Sequence, residues 1–309
     1  MILRGGEHLL VDCGEGTQRQ MMLSRGGMGR LSTILVTHRH PDHVLGLPGL
    51  LATFSDARDQ PLSVLGPRGL ADLMAGFRVH HGRLAFPLHV TEMDPGDVLT
   101  RDGYRLEALA TDHDGPSLGW ALVEDTRPGH LDARRAAAQG ARAGEDLGRL
   151  ARGEDVVFDD GHRVEADGVV GPPERGRRLV FSGDTRPCAA IENAAGGADV
   201  LVHEATFLDR DARLAADGAH STARQAAELA RRAGVRLPVL THISHRYRAD
   251  DVAREARGVE PATVVPDDFD CVEVPLPERG SPRLVRGGGR AASGADAATL
   301  VPVPGAKVE

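Results

Sequence analysis

The sequence predicts a mixed α/β (α+β) protein, and three observations carry that expectation. Strand-like and helix-like segments alternate along most of the chain. A length of 309 residues allows one large domain or two small ones around a real core. The densest chemistry, Thr37-His38-Arg39-His40-Pro41-Asp42-His43, falls where a strand-like run (31–36) gives way to an apolar, helix-like stretch (44–54). An extended chain alternates its faces, so His38 and His40 can point together while the turn swings Asp42 and His43 to a second position. Imidazole and carboxylate suit zinc and similar divalent ions, and two such ions about 3.5–4 Å apart can clamp an in-line displacement.

The chain opens on a hairpin, 2–4 and 8–11 about Gly5-Gly6, followed by the acidic turn Asp12-Cys13-Gly14-Glu15-Gly16-Thr17-Gln18. Short strands and a helix (62–65, 69–77, 88–90, 104–109) come next, punctuated by Pro67, Pro87 and Pro95-Gly96. His80 and His81 read as surface histidines in a loop, because adjacent residues of an extended segment point opposite ways. Residues 110–113 close a strand with His113. From about 126 to 173 the pattern breaks: 131–150 reads as one or two small solvated helices, and Asp159-Asp160-Gly161 as a hairpin turn. A strand over 178–182 ends in Gly183-Asp184, and a buried strand over 199–202 leads into His203-Glu204-Ala205-Thr206. Thr222 and Gln225 form a capping box for a helix that runs to Ala233 and stops at Gly234, which gives Ser221 and Thr222 a structural task. The last core strand, 235–240, ends in Thr241-His242. Residues 1–276 read as one domain carrying an insertion at about 126–173. From Pro277 the chain turns to Gly, Ala, Ser, Pro and Arg, so 277–309 is expected to be a disordered low-complexity tail.

The totals exclude several classes. A formal charge of −8 gives no global footprint for nucleic acid, so any such binding must come from a local patch. Aromatics make up 3% of the chain, which argues against an extended stacking platform. Cys13, Cys188 and Cys271 contain no C-x-x-C, against a disulfide framework or a zinc knuckle. With no signal peptide and no membrane-length apolar run, the expectation is a soluble cytoplasmic protein.

His38-x-His40-x-Asp42-His43 resembles the signature of the metallo-β-lactamase superfamily of two-metal hydrolases. Six strings in order carry a narrower resemblance, to the ribonuclease Z family, which trims tRNA 3′ trailers. They are the Asp12–Gln18 turn, the histidine signature, Gly46-Leu47-Pro48-Gly49-Leu50, Ser182-Gly183-Asp184-Thr185-Arg186, the His203–Thr206 and His220-Ser221-Thr222 pair, and Thr241-His242-Ile243-Ser244-x-Arg246-Tyr247. The resemblance implies a four-layer αββα sandwich and two zinc ions per subunit, with manganese as an alternative. Carried over by position, His38, His40 and His113 hold one metal, Asp42, His43 and His242 the other, and Asp184 bridges. Asp12, Thr37 and His203 would orient these ligands through hydrogen bonds. Asp42 would orient or deprotonate a water, and His220, steadied by Glu204, would protonate the departing oxygen, since a carboxylate beside an imidazole favours its protonated form. Ser221, Thr222 and Arg246 are implied near substrate. The insertion resembles the family arm that grips the tRNA body, with Arg134, Arg135, Arg142, Arg149 and Arg152 as phosphate contacts. Precursor tRNA is the implied partner, and a homodimer the implied assembly.

Two departures stand out. The family has a further strand and a Pro/Arg loop, which reads the tRNA 3′ end, before the point corresponding to Met1; either the start is assigned late or the chain lacks both, and such a truncation would expose a strand edge and threaten folding and substrate choice. The Gly-Pro pair of the bacterial arm reads Gly144-Glu145 here. Two alternatives remain open from sequence: another superfamily hydrolase acting on small phosphodiesters or sulfate esters, and an inactive, metal-stabilised RNA-binding protein.

Overall fold

The structure is a computed structural model that describes residues 1–24, 27–56, 58–287 and 298–300. In chain order the elements are β1 (Ile2–Arg4), β2 (Glu7–Val11), α1 (Thr17–Leu23), β3 (Leu31–Leu35), α2 (Pro41–Val44), α3 (Leu47–Ser55), β4 (Leu62–Gly66), α4 (Leu70–His81), β5 (Leu88–Glu92), β6 (Val98–Arg101), β7 (Tyr104–Ala110) and β8 (Leu118–Glu124). There follow α5 (Ala133–Ala138), α6 (Glu145–Ala151), β9 (Val156–Val157), β10 (Arg163–Val164), β11 (Arg178–Phe181), α7 (Ala189–Ala194), β12 (Val200–Glu204), α8 (Ala212–Asp217), α9 (Ala223–Arg232), β13 (Leu237–Thr241), α10 (Ala249–Arg257), β14 (Cys271–Val274), β15 (Arg283–Val285) and β16 (Ala298–Leu300).

One sheet has the order β15-β14-β16-β1-β2-β3-β4-β5, the other β13-β12-β11-β8-β7-β6. Strand periodicity explains the layering. Leu118, Trp120 and Leu122 of β8 face a core that also takes Leu9 of β2 and Leu35 of β3, while Ala121 and Val123 face the opposite core with Leu229 of α9. Each sheet therefore buries one face against the other sheet and one against helices. Leu31 and Ile34 pack outward with Leu50, Leu51 and Met74, and α9 and α10 pack through Ala226, Ala227, Val252 and Ala256. The fold is the four-layer αββα sandwich of a metallo-β-lactamase. Strands β2 to β5 pair in parallel, as do β11 to β13, so their carboxyl ends gather on one side of each sheet. Ligand sites in open α/β sheets form outside those ends.

The chain divides into two compact units, of which the smaller is Glu124–Gly176. That unit has its own apolar cluster, including Ala136, Ala141, Leu150, Val156, Val164 and Ala166, and a hairpin of β9 and β10.

Four expectations are corrected. The single helix over 44–54 is two helices: the Gly46 amide leaves the helical ladder to bond the Cys13 carbonyl at 2.9 Å, an approach only glycine allows because a Cβ there would lie 2.0 Å from the Gly14 carbonyl oxygen. His80 and His81 end α4 rather than lying in a loop. The tail beyond Pro277 is not wholly disordered. β15 pairs with β14, and β16 lies between β14 and β1, placing Ala298 and Leu300 in the inter-sheet core. Three-residue strands carry too little periodicity to show in sequence; 288–297 and 301–309 lie outside the described residues. Finally, β1 is not left with an open edge: Ile2, Leu3 and Arg4 pair antiparallel with Leu300, Thr299 and Ala298.

Candidate active site

Asp12 ends β2 with φ 57°, a left-handed conformation that turns its carboxylate back under the histidine loop. Its Oδ1 accepts from the Thr37 amide at 2.7 Å. Its Oδ2 accepts from the Thr37 hydroxyl at 2.9 Å and from His43 Nδ1 at 2.8 Å. Because the Thr37 hydroxyl donates to Asp12, it accepts from His38 Nδ1 at 3.0 Å. One carboxylate thus fixes the tautomers of two imidazoles and leaves the Nε2 of each facing the site. Gly14 seals the arrangement, since a Cβ there would stand 1.9 Å from the Asp42 carbonyl oxygen.

The remaining groups arrive from the other sheet. Gly183, at φ 60°, has no room for a Cβ, which would meet the Thr37 Cβ at 2.9 Å; this close approach aims Asp184 inward. His113 follows β7 and gives its Nδ1 proton to the Ala219 carbonyl at 2.9 Å. His242 follows β13 at φ 55° and gives its Nδ1 proton to the Thr206 hydroxyl at 2.8 Å. That hydroxyl in turn donates to Glu204 Oε2 at 2.6 Å.

The donor atoms converge in groups able to hold a metal: His38, His40 and His113; Asp42, His43 and His242; and Asp184 with His38 and His43, or with His242 and His220. Two nitrogens bound to one tetrahedral zinc at about 2.0–2.1 Å stand roughly 3.3 Å apart. Here His40 Nδ1 lies 2.9 Å from His38 Nε2 and 3.3 Å from His113 Nε2. Asp42 Oδ2 lies 3.4 Å from both His43 Nε2 and His242 Nε2, and Asp184 Oδ2 lies 3.4 and 3.3 Å from the same two nitrogens. His43 Nε2 is buried without a hydrogen-bond partner, a state that a metal bond would relieve. The donor set therefore fits divalent ions.

Electrostatics point the same way. A hydrogen bond from His242 and the close approach of His43 hold Asp42 well below the usual carboxylate range. Asp184, despite burial, is held low by the charge of His242 and by His43. Burial would depress His43, yet Asp12 and the other two carboxylates hold its proton well above the usual imidazole range. His242 rises to about 9, since Asp184 and Asp42 outweigh its burial. His38, by contrast, is pushed down to about 2 by burial and by the neighbouring His43. The pocket concentrates carboxylate charge and draws cations to the histidine nitrogens.

Beside this cluster Glu204 Oε1 accepts from His220 Nδ1 at 2.8 Å and from the Thr185 amide at 2.8 Å. His220 lies 3.9 Å from Asp184 Oδ2 through the same nitrogen, so Glu204 is its partner. Sequence reasoning passed over Thr185 and Thr206 as anchors, although both stand in the quoted strings. It also passed over Arg186, which bonds Asp112 Oδ1 at 3.0 Å and the Ala216 carbonyl at 2.7 and 3.0 Å, tying the loop after β7 to the end of α8, just ahead of His220.

Other expected site residues are not brought to the centre. His203 is buried and donates to the Glu204 carbonyl at 2.8 Å rather than to a ligand. Ser221 and Thr222 are fully buried: Ser221 donates to the Thr185 carbonyl at 2.6 Å, and Thr222 caps α9 in a complete capping box. Neither hydroxyl is free for substrate. Arg246 is exposed. In the Glu124–Gly176 unit, Arg134 and Arg135 are exposed, whereas Arg142 is held by Asp146 through Nε at 2.8 Å and Nη2 at 3.2 Å. Arg149 and Arg152 both engage Glu154.

A family model described as the β-lactamase superfamily domain matches residues 7–167 and 149–243. The ribonuclease Z of Methanosarcina acetivorans is 43% identical over 279 residues, covering 89% of this chain and 91% of that protein. The ribonuclease Z of Haloferax volcanii is 47% identical over 283 residues, covering 89% and 88%. Among solved structures, human tRNase Z, short form, superposes with a TM-score of 0.57 at 28% identity, covering 78% of this chain and 83% of that one. The metallo-β-lactamase fold protein YhfI from Bacillus subtilis gives a TM-score of 0.56 at 18% identity over 84% of each chain, a likeness of fold. With these similarities spanning both sheets and every loop of the site, the chain belongs to the ribonuclease Z family of the β-lactamase superfamily.

Proposed function

We propose that this protein is a metal-dependent endoribonuclease that removes the 3′ trailer from tRNA precursors by hydrolysing one phosphodiester bond. The observation that carries the reading is the convergence of seven metal donors and a Glu204–His220 pair at the strand ends of a ribonuclease Z chain. His38, His40 and His113 would hold one zinc and Asp42, His43 and His242 a second, with Asp184 as a further donor; manganese would suit the same donors. When bound, the ions lower the pKa of water from about 15.7 towards 7 and offset the charge gathering on the phosphate.

The chain's own groups do the rest. Asp12 and Thr37 keep His38 and His43 in the tautomer that presents Nε2. Asp42 directs Oδ2 towards His43 and His242, which leaves its other oxygen to orient the attacking water and take its proton. Glu204 binds His220 at Nδ1, so the proton for the departing oxygen is carried on Nε2. Arg246, Arg134 and Arg135 are the cations placed in solvent to meet phosphates, since a guanidinium can take two phosphate oxygens at once. A homodimer in the cytoplasm completes the proposal. Met22 and Leu23 of α1 expose 56% and 62% of their surface, an apolar pair suited to a second copy.

The test uses the chain loaded with zinc or manganese and a 5′-labelled tRNA precursor bearing a 3′ trailer. A single cut at the trailer junction, lost in His38→Ala, is the expected result. Hydrolysis of a small aryl phosphodiester without any cut in the precursor would overturn the tRNA reading in favour of a small-substrate hydrolase. Light scattering at micromolar protein reads the assembly state, and a monomer would remove the dimer from the proposal.

A further inference from the structure

The proton-donating pair accounts for Glu204 and Thr206 but not for the next residue, Phe207. Its backbone is locked to the loop that carries His220. The Phe207 amide donates to the Ser221 carbonyl at 3.3 Å, the Phe207 carbonyl accepts from the Ala223 amide at 2.8 Å, and Phe207 bridges Thr222 in parallel. The ring lies 6.1 Å from the His220 ring, inclined by 51°. His220 in turn faces His113 at 5.1 Å and His242 at 5.6 Å. Among the described residues, Phe207 is the one Phe, Tyr or Trp whose ring pairs with this histidine cluster.

Exposure separates Phe207 from the phenylalanines of the two cores that flank the first sheet. Phe54, Phe77, Phe86 and Phe181 are buried at 4 to 9% exposure, and Trp120 and Tyr104 are sealed in the inter-sheet core. Phe207 remains partly open to solvent beside the group that protonates the leaving oxygen. In a chain with so few aromatics, a partly exposed ring fixed at this spot by its backbone bonds offers part of an apolar face beside His220. The nucleotide whose oxygen departs must sit against His220, which brings its base within reach of that face. Stacking tolerates any base, because every base has a π-face.

We propose that Phe207 is the stacking platform for the base of the nucleotide that carries the departing oxygen, and so helps set which bond enters the centre. The proposal rests on the RNA-hydrolysing function above. It is tested with Phe207→Ala, Phe207→Leu and Phe207→Trp, each assayed on a tRNA precursor and on the same precursor made abasic at one nucleotide. That nucleotide lies on the side of the cut whose product carries the new hydroxyl.

The expected result is a loss of about tenfold in kcat/KM for the Ala and Leu variants, carried mainly by KM, with Trp near wild type. On the abasic RNA, wild type should fall to the level of Phe207→Ala, and the substitution should then cost nothing further. An equal loss on both RNAs, or full recovery with Leu, would overturn the proposal and make Phe207 a packing support for the His220 loop. Should wild type leave the precursor uncut, the tRNA reading fails separately. The same variants on a ribodinucleotide and its abasic counterpart then decide the role of Phe207.

Discussion

The metal loops and the Glu124–Gly176 unit use polar side chains in opposite ways. In the loops, the bonds that bring separate strand ends together join residues far apart in sequence: Asp12 holds Thr37 and His43, Glu204 holds His220, and the Ala219 carbonyl holds His113. These groups are largely buried, so every donor must find its acceptor and each ring has one permitted orientation. In the smaller unit the pairs are local and mostly solvent-facing: Arg142 with Asp146, Arg149 and Arg152 with Glu154, Arg163 with Asp155. Twelve carboxylates there outnumber eight arginines, so most of its cations are already spent within the unit. Distance in sequence gives the first region its precision, and proximity in sequence gives the second its modest electrostatic reach.

The contrast can be broken most severely at Asp184. Asp184→Ala should remove at least one metal equivalent and lower turnover by about 10³-fold or more, read by metal analysis and single-turnover cleavage. His220→Ala should lower kcat by about 10²–10⁴-fold while leaving metal content intact, which would separate proton delivery from metal holding. A loss of metal in that variant would instead make His220 a ligand.

An intermediate effect is expected at Asp12, which touches no substrate and acts only through His38 and His43. Asp12→Ala should weaken metal affinity by about 10–100-fold in a chelator competition.

In the smaller unit the effects should be smaller still and should follow charge. Arg134→Ala and Arg135→Ala should each lower the log–log salt slope of tRNA binding by about 1, whereas Arg142→Ala should leave that slope unchanged because Asp146 already holds its guanidinium. Equal slopes for all three variants would erase the distinction.

The least effect concerns pH. The Arg142 side chain and amide hold Asp146 below its usual range. A depressed carboxylate adds stability that is present above its unfolded value of about 3.9 and lost as pH falls through the lower, folded value. Hydrogen exchange in α5 and α6 should therefore quicken below about pH 4, and Arg142→Ala should flatten that dependence.

Much of the centre was legible because its chemistry is written in short strings at strand ends, where residue type and local geometry are tied together. His38, His40, Asp42 and His43 needed only a strand, a turn and a helix to be placed. The residues that complete them were harder to see. Thr206 looks like any threonine until its hydroxyl is found between Glu204 and His242. Ser221 and Thr222 read as substrate groups beside their histidine, yet they are buried as anchors, since burial is set by the distant Thr185 carbonyl and by α9. That acidic neighbours partly cancel the arginines of the insertion was legible, but not that Asp146 in particular holds Arg142 through its amide, Nε and Nη2. Sequence showed a helix over 44–54 but not its break, because the acceptor that takes the Gly46 amide lies some thirty residues away at Cys13.

The placement of β16 bears on how the protein comes to be made. Leu300 pairs with Ile2, so the eight-stranded sheet joins almost the first described residue to the last. Such pairing gives high contact order, and closure of the long loop between the partners slows folding. During synthesis β1 must wait beside a vacant position until residues 298–300 have left the ribosome. The strands and helices from β2 to β5 can meanwhile condense, since their contacts are closer in sequence. The histidine loop should thus be shaped early and sealed late, with arrival of the final strand as the commitment step of folding.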